Sequence, residues 1–337
     1  GVQTCALPIC WPEFPADITE PVRALTYRNA MANLRLHAGQ TDAVRRILAL
    51  PEGTADRGTA RLALAFRTML LGLSHLWDGN VFQAEAVLRP AIAQAERAAG
   101  RRSEVACLHA AVLAACLWER DQALAASALL ANRLDVIERT GFPDTILLAY
   151  LTLARVAAAQ GDERRALQLL NGLGDPAERR RLPRLALHGL VEQIRLHAQH
   201  RRHETVARLL QALDALEARF DLEEFRPYLP QYRLAAAIAR TCAAIARQDF
   251  ELAEAEVGRA DELARALNRQ RDVLTVKVMR AVLARRHDRQ LAQSLLAEAE
   301  SLASIGGIAR LLADACPDAV AMADDLQARP ANAMPVV

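Results

Sequence analysis

Five alanines, Ala43, Ala84, Ala125, Ala166 and Ala207, stand at a constant spacing of 41 residues, and Ala253 and Ala292 continue the series at 46 and 39. An internal repeat of this length constrains the fold more than any other feature, because each unit must be a supersecondary element that stacks on its neighbours. The words around the alanines agree: "WDGNVFQAEAVL" (77–88), "WERDQALAASALL" (118–130), "AQGDERRALQLL" (159–170) and "ARQDFELAEAEV" (246–257) each read as a helix end, a polar turn, then an alanine and an apolar pair. An alanine early in a second helix lets it cross the first closely, within the usual ~8–10 Å between axes. One turn further along the same face come Ile47, Leu88, Leu129, Leu170, Val257 and Leu296, with Gln211 the exception. Gly39, Gly79 and Gly161 suit the turns, and Asn80, Asp121, Asp162 and Asp249 offer oxygens to cap the next helix.

Each unit is therefore expected to be an antiparallel helix pair. First helices are expected near 21–38, 58–78, 103–119, 144–160, 184–199, 231–247 and 271–286, and second helices near 41–50, 81–99, 122–139, 163–172, 203–219, 250–267 and 288–303. One or two further helices fill 306–327. Breaks are expected at "GLGDPAERRRLP" (172–183) and "FDLEEFRPYLP" (220–230), where Gly and Pro interrupt the pattern. Hydrophobic residues make up 52% of the chain and aromatics only 4%, so the apolar surface is built from small and medium side chains suited to helix packing.

The 42 basic and 40 acidic residues are interspersed, which leaves no electrostatic footprint for nucleic acid or an anionic membrane. Lys277 is the only lysine, and with the abundant alanine it points to a GC-rich bacterial genome. The six cysteines (5, 10, 107, 116, 242, 316) form no C-x-x-C and fall mostly in apolar helical stretches, so a reduced, cytoplasmic setting is expected. No apolar run reaches the ~18–20 residues of a membrane span, and residues 1–10 lack the pattern of a signal peptide.

Catalytic templates fail. A P-loop needs Gly-Lys-Ser/Thr, but the lysine lies in "TVKVM"; "HETVA" (203–207) ends in Ala207 where a zinc protease needs histidine, and "GLSHL" (72–76) breaks G-x-S-x-G at its last position. His197, His200 and His203 stand at helical spacing, yet Arg201 and Arg202 between them oppose a cation, and a solvated helix end is the simpler reading. Arg179, Arg180 and Arg181 read likewise as a solvated loop rather than an anion site. No catalytic residue, metal or cofactor is expected in this chain, and it reads as a non-enzyme.

The turns in "AQGDERRA" and "WDGNVFQA" resemble the tetratricopeptide pattern G-D-x-x-x-A, although the period here is longer. That resemblance implies an all-α, right-handed superhelical solenoid of about seven antiparallel pairs with a C-terminal capping helix. It also implies that first-helix positions seven, eight and eleven before the anchor alanine face a concave groove. Trp77, Trp118, Arg155, Gln199 and His200 then line that groove, with Lys277 and Arg285 near its end. Tryptophans beside cations suit a ring-shaped or carbohydrate-like ligand; equally, both indoles can pack between repeats.

From 234 onward, "LAAAIARTCAAIARQDFELAEAEVGRADELARALNRQRDVLTVKVMRAVLARR" followed by "LAQSLLAEAESLASIGGIARLLADACPDA" resembles the helical-repeat region of the large ATP-dependent LuxR-type, MalT-like transcription regulators. The likeness covers roughly 20–327. It implies a sensor solenoid that binds a small-molecule inducer or a regulatory protein, set between an N-terminal P-loop ATPase, where ATP would bind, and a C-terminal helix-turn-helix that reads DNA. Neither is found within these 337 residues, so a fragment is expected that does not itself contact nucleic acid or a membrane. A stand-alone adaptor for a peptide or protein is the alternative. The opening "GVQTCALPI" resembles the translated end of a short-read sequencing adapter, so 1–10 is expected to be an artefact, 11–19 a linker remnant, 20–327 the solenoid and 328–337 a disordered tail.

Overall fold

The computed structural model describes residues 20–50, 60–220 and 228–328; the expected adapter scar, the linker remnant and the tail beyond 328 lie outside them. Among the described residues all regular structure is helical, and no helix is long and apolar enough to cross a membrane. The elements are α1 (Pro21–His37), α2 (Thr41–Ala49), α3 (Arg61–Trp77), α4 (Val81–Ala99), α5 (Glu104–Glu119), α6 (Ala123–Leu130), α7 (Leu134–Thr140), α8 (Pro143–Ala159) and α9 (Glu163–Gly172). There follow α10 (Gly174–Arg179), α11 (Pro183–Gln199), α12 (His203–Glu217), α13 (Leu229–Arg247), α14 (Phe250–Ala266), α15 (Gln270–Ala284), α16 (Arg289–Gly306), α17 (Leu311–Ala315) and α18 (Ala319–Ala328).

Within each pair the two helices pack on one another, and first helices also touch the next first helix in the row α1, α3, α5, α8, α11, α13, α15. This row is the inner layer: α5 is buried at every position from Ala106 to Glu119, whereas α12 buries only Val206 and Leu213. One large apolar cluster runs from Ala32 to Leu326, and a small second one joins Ala157, Ala166 and Leu196.

The register that builds this seam differs from the alanine series. The buried small residue is always the fourth helical position, whose N–H bonds the carbonyl of the N-cap: Val44, Ala84, Ala126, Ala166, Val206, Ala253 and Ala292, all at most 1% exposed. Their spacings are 40, 42, 40, 40, 47 and 39. Ala125 and Ala207 are exposed and Ala43 half-buried, each one residue out of register. The slip occurs where Gln40, Gln122 or Arg202 stands at the N-cap and makes no side-chain cap bond. Where Asn80, Asp162, Asp249 or Asp288 caps the helix, the alanine is the buried residue. Asp121 is not a cap; it takes a left-handed conformation, φ 58°, five residues before Ala126, as do Arg201 and Gln248 before their own buried residues. The Gln211 anomaly also resolves, since half-buried Leu210 occupies its place.

The scheme of about seven pairs and one cap undercounts the helices. The expected helix 122–139 breaks at Asn132, φ 60°, into α6 and α7. Arg133 beside the break is 1% exposed, its guanidinium bonded to the Ala106 carbonyl and paired with Glu96. The expected break at 172–183 holds the short α10, and both α17 and α18 follow α16.

The largest departure is that the row closes on itself. The turn after α1 meets the end of α14, so closely that a Cβ on Gly39 would lie 2.0 Å from the Leu267 carbonyl oxygen. The turn after α3 meets the end of α16, with Gly306 against the Gly79 carbonyl. The N–H of Ala309 donates to the Glu119 carbonyl at 2.7 Å, and Arg310 pairs with Asp121 at 2.7 Å. Gly39→Ala is therefore expected to destabilise by at least ~2 kcal/mol through overpacking. Gly161→Ala, with φ 82° and open space around it, should cost only the ~1–2 kcal/mol of a left-handed residue with a Cβ. Urea unfolding of the two variants measures the closing contact by difference.

Candidate functional site

The closed row surrounds a partly open cavity of about 240 Å³, walled mainly by α3, α5, α8, α11, α13 and α15 and by Asp314 and Ala315. Three helices line it with the same spacing. Asp144, Leu148, Thr152 and Arg155 on α8, Arg184, His188, Glu192 and Arg195 on α11, and Gln231, Ala235, Ala239 and Cys242 on α13 each follow the pattern i, i+4, i+8, i+11, which places each set on one helix face. In α13 that face is largely small and apolar. In α11 it is a charged stripe pointing inward.

Such charges are tolerable in an interior only when paired. Arg155 grips Glu192 through two bonds of 2.9 Å, and Arg195 reaches the same carboxylate from Nε at 3.1 Å. Burial opposes ionisation of Glu192, but Arg155 and Arg195 outweigh it and hold the carboxyl well below the usual range. Asp144 behaves likewise: burial acts against it, and Arg184 with His37 prevails. His37 is tied further to Gln231, whose side-chain amide donates to the His37 carbonyl, and to the edge of Tyr228 at 5.2 Å. At the opposite end, Arg271 Nε lies 3.0 Å from both oxygens of Glu119.

Of the residues proposed from sequence, Trp77, Trp118 and Arg155 come together at the cavity. Both indoles are largely enclosed. Arg269 lies 4.1 Å above the Trp77 ring and His37 meets its edge at 5.3 Å. Trp118 donates from Nε1 to Asp314 Oδ2 at 2.7 Å while Arg310 covers its face at 3.9 Å. The chain's own guanidinium groups thus occupy faces offered by the sequence reading to a ring-shaped ligand.

The other candidates stand elsewhere. Gln199 donates to the Ala313 carbonyl at 3.3 Å, His200 is the exposed C-cap of α11, Lys277 pairs with Glu298, and Arg285 pairs with Asp325 at 3.2 Å. The reason is geometric. In α3 and α5 the lining residues sit in the last turns, in α8 they extend along most of the helix, and in α11 and α13 they begin in the first turn. The offset of seven follows the wall through Trp77 and Trp118 and the offset of eleven still meets it at Arg155, but beyond the third repeat the counted positions leave it. The missed residues Arg184, His188, Glu192 and Arg195 carried a signal nonetheless, as four polar residues at helical spacing on one face of the helix.

His188 has no hydrogen-bond partner among the described residues, and burial together with Arg184, Arg269 and Arg155 pushes its pKa down to about 3. Cys242 is no nucleophile: burial pushes its thiol up to about 12, and Sγ donates to the Ala315 carbonyl at 3.4 Å. Among the described residues no group of three or more His, Cys, Asp and Glu could hold a metal ion. His197 instead lies with Nδ1 3.3 Å from Arg202.

Trp118→Phe removes the donor to Asp314 Oδ2, and the stranded carboxylate oxygen is expected to cost ~1–3 kcal/mol in urea unfolding. Stability should also fall with acid in two stages. A lowered histidine pKa means that, between ~6.5 and about 3, the unfolded chain binds a proton the folded chain refuses, so stability drops as pH falls through that window. The depressed Asp144 and Glu192 add a second loss below their unfolded values near ~4. Unfolding midpoints from pH 7.5 to about 2 should show both stages in the parent and a smaller first stage in His188→Gln, where His75, His109 and His197, also lowered by burial, still contribute. In comparisons with known proteins, no family model matches the chain, and no curated protein matches it significantly.

Proposed function

We propose that this chain is the effector-sensing region of a regulator of the LuxR-type, MalT-like kind, a tetratricopeptide-like right-handed solenoid drawn shut around a small-molecule inducer. The observation that carries the reading is the cavity itself: charged walls from helices α3 to α15, bordered by the segment after α16, which bonds back to Glu119. A space of about 240 Å³, near the lower end of ligand pockets of ~300–1,000 Å³, favours a metabolite over an extended peptide. The wording from 234 to 327, which resembles that of the family, supports the assignment, and the pairing of the cavity's carboxylates with arginines of the chain supports a binding role.

Mechanistically, a molecule that fits only the closed form stabilises the docking of α15 to α17 on α3 and α5. A change from mostly open to mostly closed, 1:99 to 99:1, requires about 5.5 kcal/mol of differential binding. The closed form would then present a different surface to an ATPase domain, which holds ATP, and through it to a DNA-binding domain. Cytoplasmic residence and a protein partner on the outer helices accompany this reading.

Reading the gene through both ends in an unbroken assembly tests it. A P-loop upstream and a helix-turn-helix downstream are expected. A start codon near residue 20 with neither neighbour would leave the stand-alone adaptor as the better description.

A further inference from the structure

The polar groups around the cavity are unevenly satisfied, and the imbalance has a sign. Its buried carboxylates are fully engaged by the chain: Glu192 by Arg155 and Arg195, Asp144 by Arg184 and His37, Glu119 by Arg271, and Asp314 by Trp118 and Arg310. The donors are not. Among the described residues the Arg269 guanidinium makes no aligned hydrogen bond: its buried Nε stands 3.0 Å from Asp272 Oδ2 as an ion pair only, and its face stacks on Trp77. Arg184 Nε is likewise buried without an acceptor, and His188, in the middle of the α11 stripe, is unpartnered. What the cavity lacks is therefore an acceptor. Arginine next to a neutral imidazole in a water-poor space favours an anion, since hydrogen bonds to ionised acceptors are roughly twice as strong as neutral ones. The wall facing this donor set is aliphatic, with Leu148, Leu151, Leu234 and Ile238.

We propose that the cavity takes a small monocarboxylate with an apolar body, its carboxylate received by the Arg269 guanidinium and the His188 imidazole, its body lying along the leucine and isoleucine wall. The proposal rests on the reading of the cavity as the effector site and adds the chemistry of the effector. An amine is disfavoured, because each of the five carboxylates lining the cavity, Asp272 included, already faces an arginine of the chain. A neutral alcohol could gain the apolar contact but not the charge-assisted bonds.

Three probes sharing one six-carbon chain separate these cases: hexanoate, hexan-1-ol and hexylamine, titrated into the whole chain at pH 7.5. Binding is followed by calorimetry and by the imidazole signals of ¹⁵N-histidine-labelled protein, with His188 assigned through His188→Gln. Hexanoate is expected to bind at least about tenfold more tightly than hexan-1-ol, the worth of a hydrogen bond to a charged group, and to move the His188 signals; hexylamine is expected not to bind. Arg269→Gln should weaken hexanoate at least about tenfold and leave hexan-1-ol unchanged. Because Arg269 also covers Trp77, His188→Phe serves as a second variant that leaves that stack alone and is expected to show the same selective loss. Equal binding of hexanoate and hexan-1-ol, or full hexanoate affinity in both variants, would overturn the carboxylate assignment while leaving a small-molecule cavity in place. Failure of all three probes to enter would overturn the assignment and the effector-site reading together.

Discussion

The interior of this protein depends on one constraint: the turns at one edge of the first helix pairs must touch the turns and helix ends of the last ones. Gly39 against Leu267, Gly306 against Gly79, and the Ala309 N–H on the Glu119 carbonyl are backbone-to-backbone approaches. They leave no room for side chains and tolerate little displacement. Once they form, Glu119 and Arg271 become an interior pair, Trp118 finds Asp314, and His37 at the end of α1 reaches Asp144, Arg184 and Gln231 on three other helices. Without them the same residues would line an open trough, where water would screen every pair.

Enclosing so many charges is not an efficient way to stabilise a fold. Removing a carboxylate and a guanidinium from water costs several kcal/mol per ion, and a well-packed apolar replacement often does as well or better. The second helices, with their alanine, valine and leucine seam, already supply the cohesion between neighbouring units. The inner charges therefore make more sense as positional devices. A bidentate contact such as Arg155 on Glu192 fixes the relative rotation of α8 and α11 more narrowly than leucines could, and that rotation shapes the cavity.

Sequence periodicity conveyed the helices and most of their boundaries, because the apolar face of each pair repeats at helical spacing and the turns carry glycine or an Asx cap. It conveyed the register less well. "ALAASALL" holds both Ala125 and Ala126, and only the backbone bond from the Ala126 N–H to the Gln122 carbonyl separates the buried one from its neighbour. In "TDAVRRIL" and "HETVARLL" a valine takes the close crossing, which an alanine-based alignment passes over. Trp77 and Trp118, seven before their alanines, and Arg155, eleven before its own, were legible as inward-facing because the wall still runs past the later turns of the early first helices. Arg184, His188, Glu192 and Arg195 were not, because the wall shifts toward the start of later helices. Closure itself left no local trace: Gly39 and Leu267 are far apart in the chain, and nothing near either announces the other.

The long-range pairs also order the events of folding. Trp118 and Asp314 are separated by 196 residues, and His37 and Gln231 by 194, whereas each helix hairpin is assembled from neighbours a few turns apart. Loop-closure entropy makes distant contacts late ones. Hairpins should thus accumulate along the chain into an open row before the ring shuts, with the charged stripe of α11 still hydrated at that stage. The slow step expected on these grounds is the docking of the last helices on the first, with the expulsion of water from around Glu192 and Asp144 left to the end of folding.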